Sequence, residues 1–339
     1  MRGLIFDHRG LSCRTDLPRP EAAPGEALVR VKLAGICATD LAITNGYMGF
    51  CGVLGHEFTA TVESVTPAPV SPEGAPSATS ASTATPDVGH WIGKRVVGEI
   101  NAACGKPACP ACRAGRPRHC PSRSVLGILG RSGAFAEYLT LPLSNLHPLP
   151  AGVTDQAAVF VEPLAAAFRI LEQVRIATRD TVYVMGDGRL GLLIAQVLAT
   201  TGCHLTLLGK HPEKRAVATK WGIASAPPDA DLPPADVVVD ATGSADGLGQ
   251  AVARTRPCGT VVLKSTCATA ASWNPAPLVI DEITVVGSRC GPFEPALAAL
   301  AAGHIDVAPL IAARYALDDG VAAIRHAATP GVLKVLLEP

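Results

Sequence analysis

Four cysteines fall within residues 104–120, spaced Cys104-x4-Cys109-x2-Cys112-x7-Cys120. Two thiolates two residues apart can chelate one metal ion from a single turn, and a second pair closes a tetrahedron. Zinc held by four sulfurs is a closed, structural site with no open position for chemistry. The residues between these cysteines are mainly proline, glycine, alanine and arginine. They cannot build an apolar core, so a metal staple explains the cluster better than four unrelated buried thiols or a redox pair. A second set is scattered. GICATD carries Cys37 and Asp40, LGHEF carries His56 and Glu57, and FVEPL carries Glu162. A thiolate, an imidazole and a carboxylate from separate segments form the mixed set of a three-ligand zinc site, which leaves a position open for substrate. Each of these residues alone has an ordinary explanation, as a core thiol or a loop pair.

A third pattern is GDGRLG, with Gly186, Gly188, Arg189, Leu190 and Gly191. It follows the strand-like TVYVM and opens the helix-like LGLLIAQVLA, which is the context a dinucleotide-binding turn requires. Gly186 permits the tight turn, Gly188 lets backbone approach a pyrophosphate, and Gly191 lets helix pack on strand. The helix N-terminus then faces the anion. The alternative is a glycine turn without a ligand. A domain selective for NAD places an acid about 20 residues past the glycines, on the ribose 2′-hydroxyl. Here Gly209 stands at that place, followed by Lys210 and His211, with Lys214 further on. A glycine makes room for a 2′-phosphate and the basic residues would attract it, so the sequence predicts NADP(H) in preference to NAD(H).

The elements that position these groups follow from texture. Residues 1–65 read as short strands and turns, and Ala27–Ile36 alternates as a strand. Residues 66–88 are proline, serine, threonine and alanine with almost no bulky apolar side chains. Such a segment cannot offset its ordering entropy, and it reads as a mobile surface loop inserted between two strands, since Gly93–Ile100 resumes as a strand. From about Val153, continuous apolar strands alternate with helices, the mark of a parallel sheet covered on both faces.

The chain has 339 residues, of which 48% are hydrophobic and 17% charged. That length suits two domains. Lysine plus arginine equals aspartate plus glutamate, 29 against 29, so no charge surplus points to nucleic acid. The N-terminus lacks the pattern of a signal peptide, no apolar run reaches the length of a membrane span, and eleven cysteines without such a signal favour metal ligands over disulfides. A cytoplasmic protein without membrane or nucleic-acid partners is expected.

In chain order, GICATD, GHE, the four-cysteine lobe, EPLA, GDGRLG, DATG and a final strand with a lysine resemble the zinc-dependent medium-chain alcohol dehydrogenases, in particular the sorbitol and threonine dehydrogenase-like branch. The resemblance implies an α/β chain: a β-rich, GroES-like catalytic domain (residues 1–152 and 290–339, with the zinc lobe at 104–120) and a Rossmann domain at 153–289, with the active site in the cleft. It implies Cys37 and His56 as catalytic zinc ligands, Glu57 as an acid able to coordinate, and Glu162 as the third protein ligand. Thr39 would pass the substrate proton, and Asp40 would orient His56. Lys334 would lie near the cofactor pyrophosphate. The chain departs from the pattern in the four-residue first cysteine gap and in Ala38 and Ala42, which replace a basic contact and a relay histidine. The implied reaction moves hydride between a nicotinamide cofactor and an alcohol, polyol, ketone or aldehyde, in a homodimer or homotetramer joined partly through Glu282–Ser288. Charge counting adds that Glu57 and Glu162 alternate as ligands: Cys37 thiolate and one glutamate already cancel Zn²⁺. The competing readings are a zinc-independent double-bond reductase, which would lack Cys37, His56 and Glu162, and a non-catalytic cofactor-binding protein.

Overall fold

The structure is a computed structural model that describes residues 1–68, 88–267 and 273–339. The greater part of the proline- and serine-rich insert expected at 66–88 lies outside the described residues. Two compact units form. The first comprises Met1–Phe160, Ala313–Thr329 and Lys334–Pro339, and the second Val161–Ala312 and Pro330–Leu333.

In the first unit a sheet runs in the order Leu146–Pro148, Arg95–Gly98, Glu57–Val65, Glu26–Gly35, Lys334–Glu338, Ile311–Ala316, and Tyr138–Pro142 also pairs with Glu26–Gly35. Glu26–Gly35 is its backbone. Its alternation sends Arg30 and Lys32 outward and buries Val29, Val31 and Leu33. It pairs antiparallel with Glu57–Val65, setting Gly35 opposite Glu57, and the Ile36 amide donates to Val335. The two chain ends of this unit are thereby joined in one sheet next to the GICATD and GHE segments.

The second unit holds a six-stranded sheet, ordered Ala224–Ala226, His204–Leu208, Thr181–Met185, Ala235–Asp240, Thr255–Leu263, Thr284–Gly287. Every pairing in it is parallel. Counted along the chain that order is 3-2-1-4-5-6, the doubly wound arrangement that binds dinucleotides. Val182, Val184, Val238 and Val239 are fully buried, as strands covered on both faces must be.

Both boundaries between units fall later in the chain than the texture of the sequence suggests. The helix Phe293–Ala301, expected in the catalytic domain, packs on Val161–Gln173 in the second unit. The approach is close: a Cβ on Gly291 would lie 1.9 Å from the Ala165 carbonyl oxygen, so only glycine fits there.

Candidate active site

The helix Ala38–Thr44 begins at Cys37, and Asp40 determines how it begins. Its Oδ2 accepts from the Cys37 amide at 2.8 Å, and its Oδ1 accepts from the Gly55 amide at 3.2 Å. Oδ1 also lies 3.3 Å from Nδ1 of His56. Asp40 is fully buried, so one carboxylate ties the GICATD turn to the GHE turn through the Cys37 and Gly55 amides, with the His56 ring beside it. The carboxylate lies on the Nδ1 side of the ring, where Nδ1 is buried and makes no hydrogen bond. Thr39 stands beside the cysteine, its hydroxyl 3.8 Å from Cys37 Sγ.

Ligand atoms of Cys37, His56 and Glu57 lie within 4.8 Å of one another. The trio fits a metal ion on two independent grounds. Glu57 Oε1 is buried with no hydrogen-bond partner, an arrangement that is costly unless a cation satisfies it. Burial opposes a charged His56, yet Asp40 and Cys37 still raise its pKa well above the ordinary value. The surroundings therefore favour positive charge at the cluster, which a divalent cation supplies.

The other carboxylate oxygen of Glu57 is held by the ammonium of Lys334, which also donates to the Ile36 carbonyl. Both side chains are 1% exposed. Lys334, expected beside the cofactor pyrophosphate, is thus engaged at the metal cluster. Nothing near Glu57 in sequence announces the pair, because its members are 277 residues apart. Glu162 belongs to the second unit, in the first turn of Val161–Gln173, with Cys290 Sγ 4.0 Å from its Oε1. Lys264 lies in the same neighbourhood and donates to the carbonyls of Ala166 and Arg289 and to the Ser288 hydroxyl. Burial lowers its pKa to about 8, against the opposing pull of Cys290 and Glu162.

The four-cysteine lobe is compact despite the long first gap. Cys104 and Cys112 sulfurs are 3.9 Å apart, Cys109 and Cys120 sulfurs 3.8 Å. Four sulfurs at about 2.3 Å from one zinc would be separated by about 3.8 Å along a tetrahedron's edge. The Cys104 amide pulls the Cys120 thiol down to about 6, while desolvation and the neighbouring sulfurs push Cys112 up to about 12. Four thiols this close cannot all ionise without a cation among them.

In the second unit the glycine turn is tightly packed at its first and last glycines and open at the middle one. Gly186 has φ +112°, and a Cβ there would lie 2.5 Å from the Ala241 oxygen; on Gly191 it would lie 1.9 Å from the Gly186 oxygen. Gly188, the N-cap of Arg189–Ala199, has nothing within 4 Å of such a Cβ, leaving the helix N-terminus open. Arg189 donates to the Leu333 carbonyl, and Leu190 begins the apolar face of the helix. At the end of the second strand the structure departs from expectation. The space beside Gly209 is filled by the side chain of Asp187, whose Cβ and Oδ2 would both be 2.6 Å from a Cβ at 209. The predicted NADP(H) preference loses its physical basis here, since the room it assumed holds a carboxylate.

Comparison with known proteins follows this geometry. The family profile of the alcohol dehydrogenase GroES-like domain matches residues 23–151, and that of the zinc-binding dehydrogenases matches residues 190–302. An L-threonine 3-dehydrogenase of Streptomyces avermitilis is 30% identical over 95% of this chain and 94% of its own. The chain belongs to the zinc-dependent medium-chain alcohol dehydrogenases. A zinc-binding dehydrogenase of Sinorhizobium meliloti 1021, solved bound to NADP, superposes with a TM-score of 0.84 at 28% identity, covering 100% of this chain and 99% of its own. A dehydrogenase of Escherichia coli CFT073, solved with NADH, gives 0.84 at 26% identity over the same shares. This family member is a zinc-dependent, NAD(P)-dependent oxidoreductase of alcohols or polyols. No helix among the described residues is long and apolar enough to cross a membrane.

Proposed function

We propose that the chain interconverts a secondary alcohol or polyol and its ketone at the Cys37–His56–Glu57 cluster. The observation that carries this reading is the buried, unpartnered Glu57 oxygen beside a thiol and an imidazole. Cys37 and His56 would hold the zinc, with Glu162 as third ligand, while Cys104, Cys109, Cys112 and Cys120 hold a structural zinc. A zinc ion in the first site supplies Lewis-acid polarisation of the substrate oxygen, and a bound nicotinamide takes or gives the hydride.

The remaining work belongs to the chain. Asp40, 3.3 Å from Nδ1 of His56, would hold that ring toward its carboxylate once a metal is bound. Thr39 would relay the substrate's hydroxyl proton, accepting it as its own hydroxyl proton passes on to water. Lys334 neutralises Glu57 and holds one of its oxygens back, so Glu57 adds no net charge while paired. The expected alternation of Glu57 and Glu162 as ligands is part of this reading, with Glu57 offering Oε1 while Lys334 holds its other oxygen. A panel of alcohols, polyols and ketones assayed on the zinc-loaded protein tests the reading. Turnover of none of them, or undiminished turnover in Cys37→Ala, refutes it.

Assembly and location follow the same reading. Thr284–Gly287 is the edge of the second unit's sheet, and Val279, Ile280 and Val285 beside and within it are exposed. An exposed apolar edge is a hazard unless paired, which favours a dimer or tetramer. Light scattering that finds a monomer across micromolar concentrations contradicts this. None of the eleven cysteines is in a disulfide among the described residues, which is in keeping with a reducing compartment. Which of the two nicotinamide dinucleotides is preferred turns on Asp187.

A further inference from the structure

The dinucleotide fold normally reads the cofactor's adenosine ribose with an acid at the end of the second strand. Here that strand, His204–Leu208, is followed by Gly209. The acid comes from the glycine turn. The Gly186 amide donates to the Leu208 carbonyl at 2.8 Å, which brings the residue after it alongside the strand end. Asp187 then projects into the space that a side chain at 209 would fill.

Its carboxylate is fixed there. Oδ2 accepts from the His211 amide at 2.6 Å, and Nδ1 of the His211 ring lies 2.9 Å from Oδ1. The residue is only 6% exposed. Acid and glycine have in effect exchanged places between the turn and the strand end, and each explains the other. Gly209 must lack a Cβ because Asp187 is present, and Asp187 supplies the negative charge that Gly209 lacks.

We propose that Asp187 is the residue that reads the ribose, accepting a hydrogen bond from its 2′-hydroxyl and selecting NAD(H) over NADP(H). This rests on the reading of Gly186–Gly191 as the dinucleotide turn. A 2′-phosphate needs donors at the strand end, and one of them, the His211 amide, is already given to a carboxylate. Lys210 is exposed on the far side of Gly209 in sequence. It does not remove the buried acid that a phosphate would have to face.

The test is calorimetric binding of adenine nucleotide fragments, which needs neither zinc nor turnover. Wild-type protein is expected to bind 5′-AMP at least tenfold more tightly than 2′,5′-ADP, and 2′-deoxy-5′-AMP several-fold more weakly than 5′-AMP. Asp187→Asn keeps an acceptor for the His211 amide but removes the charge, and should narrow the first ratio tenfold or more. Asp187→Ala should do the same. Gly209→Asp alone should weaken all three ligands by collision with Asp187. Combined with Asp187→Ala it should restore the preference for 5′-AMP, and this rescue excludes simple loss of fold. Tighter binding of 2′,5′-ADP to the wild type, or an unchanged ratio in Asp187→Asn, overturns the proposal and leaves the dinucleotide turn standing. Absence of binding by all three nucleotides, with NADH also failing to bind, overturns both.

Discussion

The four-cysteine lobe and the Cys37–His56–Glu57 cluster both gather ligands within 4.8 Å, but they are built in opposite ways. The lobe takes its ligands from one stretch of seventeen residues that includes two short helical turns, Pro110–Arg113 and Pro117–His119. Its own metal is the main thing available to hold it. The cluster draws Cys37 from a helix start and His56 and Glu57 from the beginning of a strand, and adds Lys334 from the end of the chain. Its framework is the sheet, and its charges are balanced by Asp40 and Lys334 in fully buried positions. A site assembled locally folds with its metal, whereas a site assembled by the fold can keep a position open for substrate.

That contrast predicts different failures. Cys37→Ala or His56→Ala should lower kcat/KM by about a thousandfold or more, because the Lewis acid is lost, while thermal unfolding stays close to wild type. Steady-state assays and melting curves on the same preparations check this. Large loss of stability in either variant would mean that the cluster is structural too. Cys109→Ala should do the reverse. It should lose one zinc per chain by elemental analysis and unfold at clearly lower temperature, with the surviving folded protein active to within about tenfold, since structural zinc contributes folding free energy outright.

The buried ion pair sharpens the comparison further. Lys334→Met leaves Glu57 charged and unpaired in the interior, which should cost about 3–5 kcal/mol of stability. Adding Glu57→Gln should recover most of that. Denaturant titration of both single variants and the double variant measures the coupling, and additive effects would show that the pair does not act as a unit. The smallest effect in the series belongs to Asp40→Asn. It keeps the shape but lowers the charge beside His56, and should reduce activity or zinc affinity about 10–100-fold. An unchanged zinc affinity and an unchanged kcat/KM together would remove Asp40 from the positioning role.

The sequence made the same division visible. Whatever depends on close spacing could be read directly: the four cysteines, the glycine turn between a strand and a helix, and Cys37 with Asp40 in one short segment. The alternation around Val29, Val31 and Leu33 likewise marked the central strand. Features that depend on chain segments meeting in space could not be read. Lys334 reaches Glu57 only because Lys334–Glu338 pairs beside Glu26–Gly35. Gly209 looked like an open space because a side chain from the glycine turn, Asp187, fills it, and spacing carries no trace of that. From spacing alone the helix Phe293–Ala301 falls with the first unit for the same reason: its partner, Val161–Gln173, is distant in sequence.

If the dispersed site is the reactive one, a chain should hold two zinc ions in two kinds of site. Diffraction data collected on either side of the zinc absorption edge should then show two anomalous peaks per chain: one about 2.3 Å from each sulfur of the four-cysteine lobe, and one bonded to Cys37 Sγ and His56 Nε2. A single peak in the lobe, or a second peak to which Cys37 is not a ligand, would contradict it.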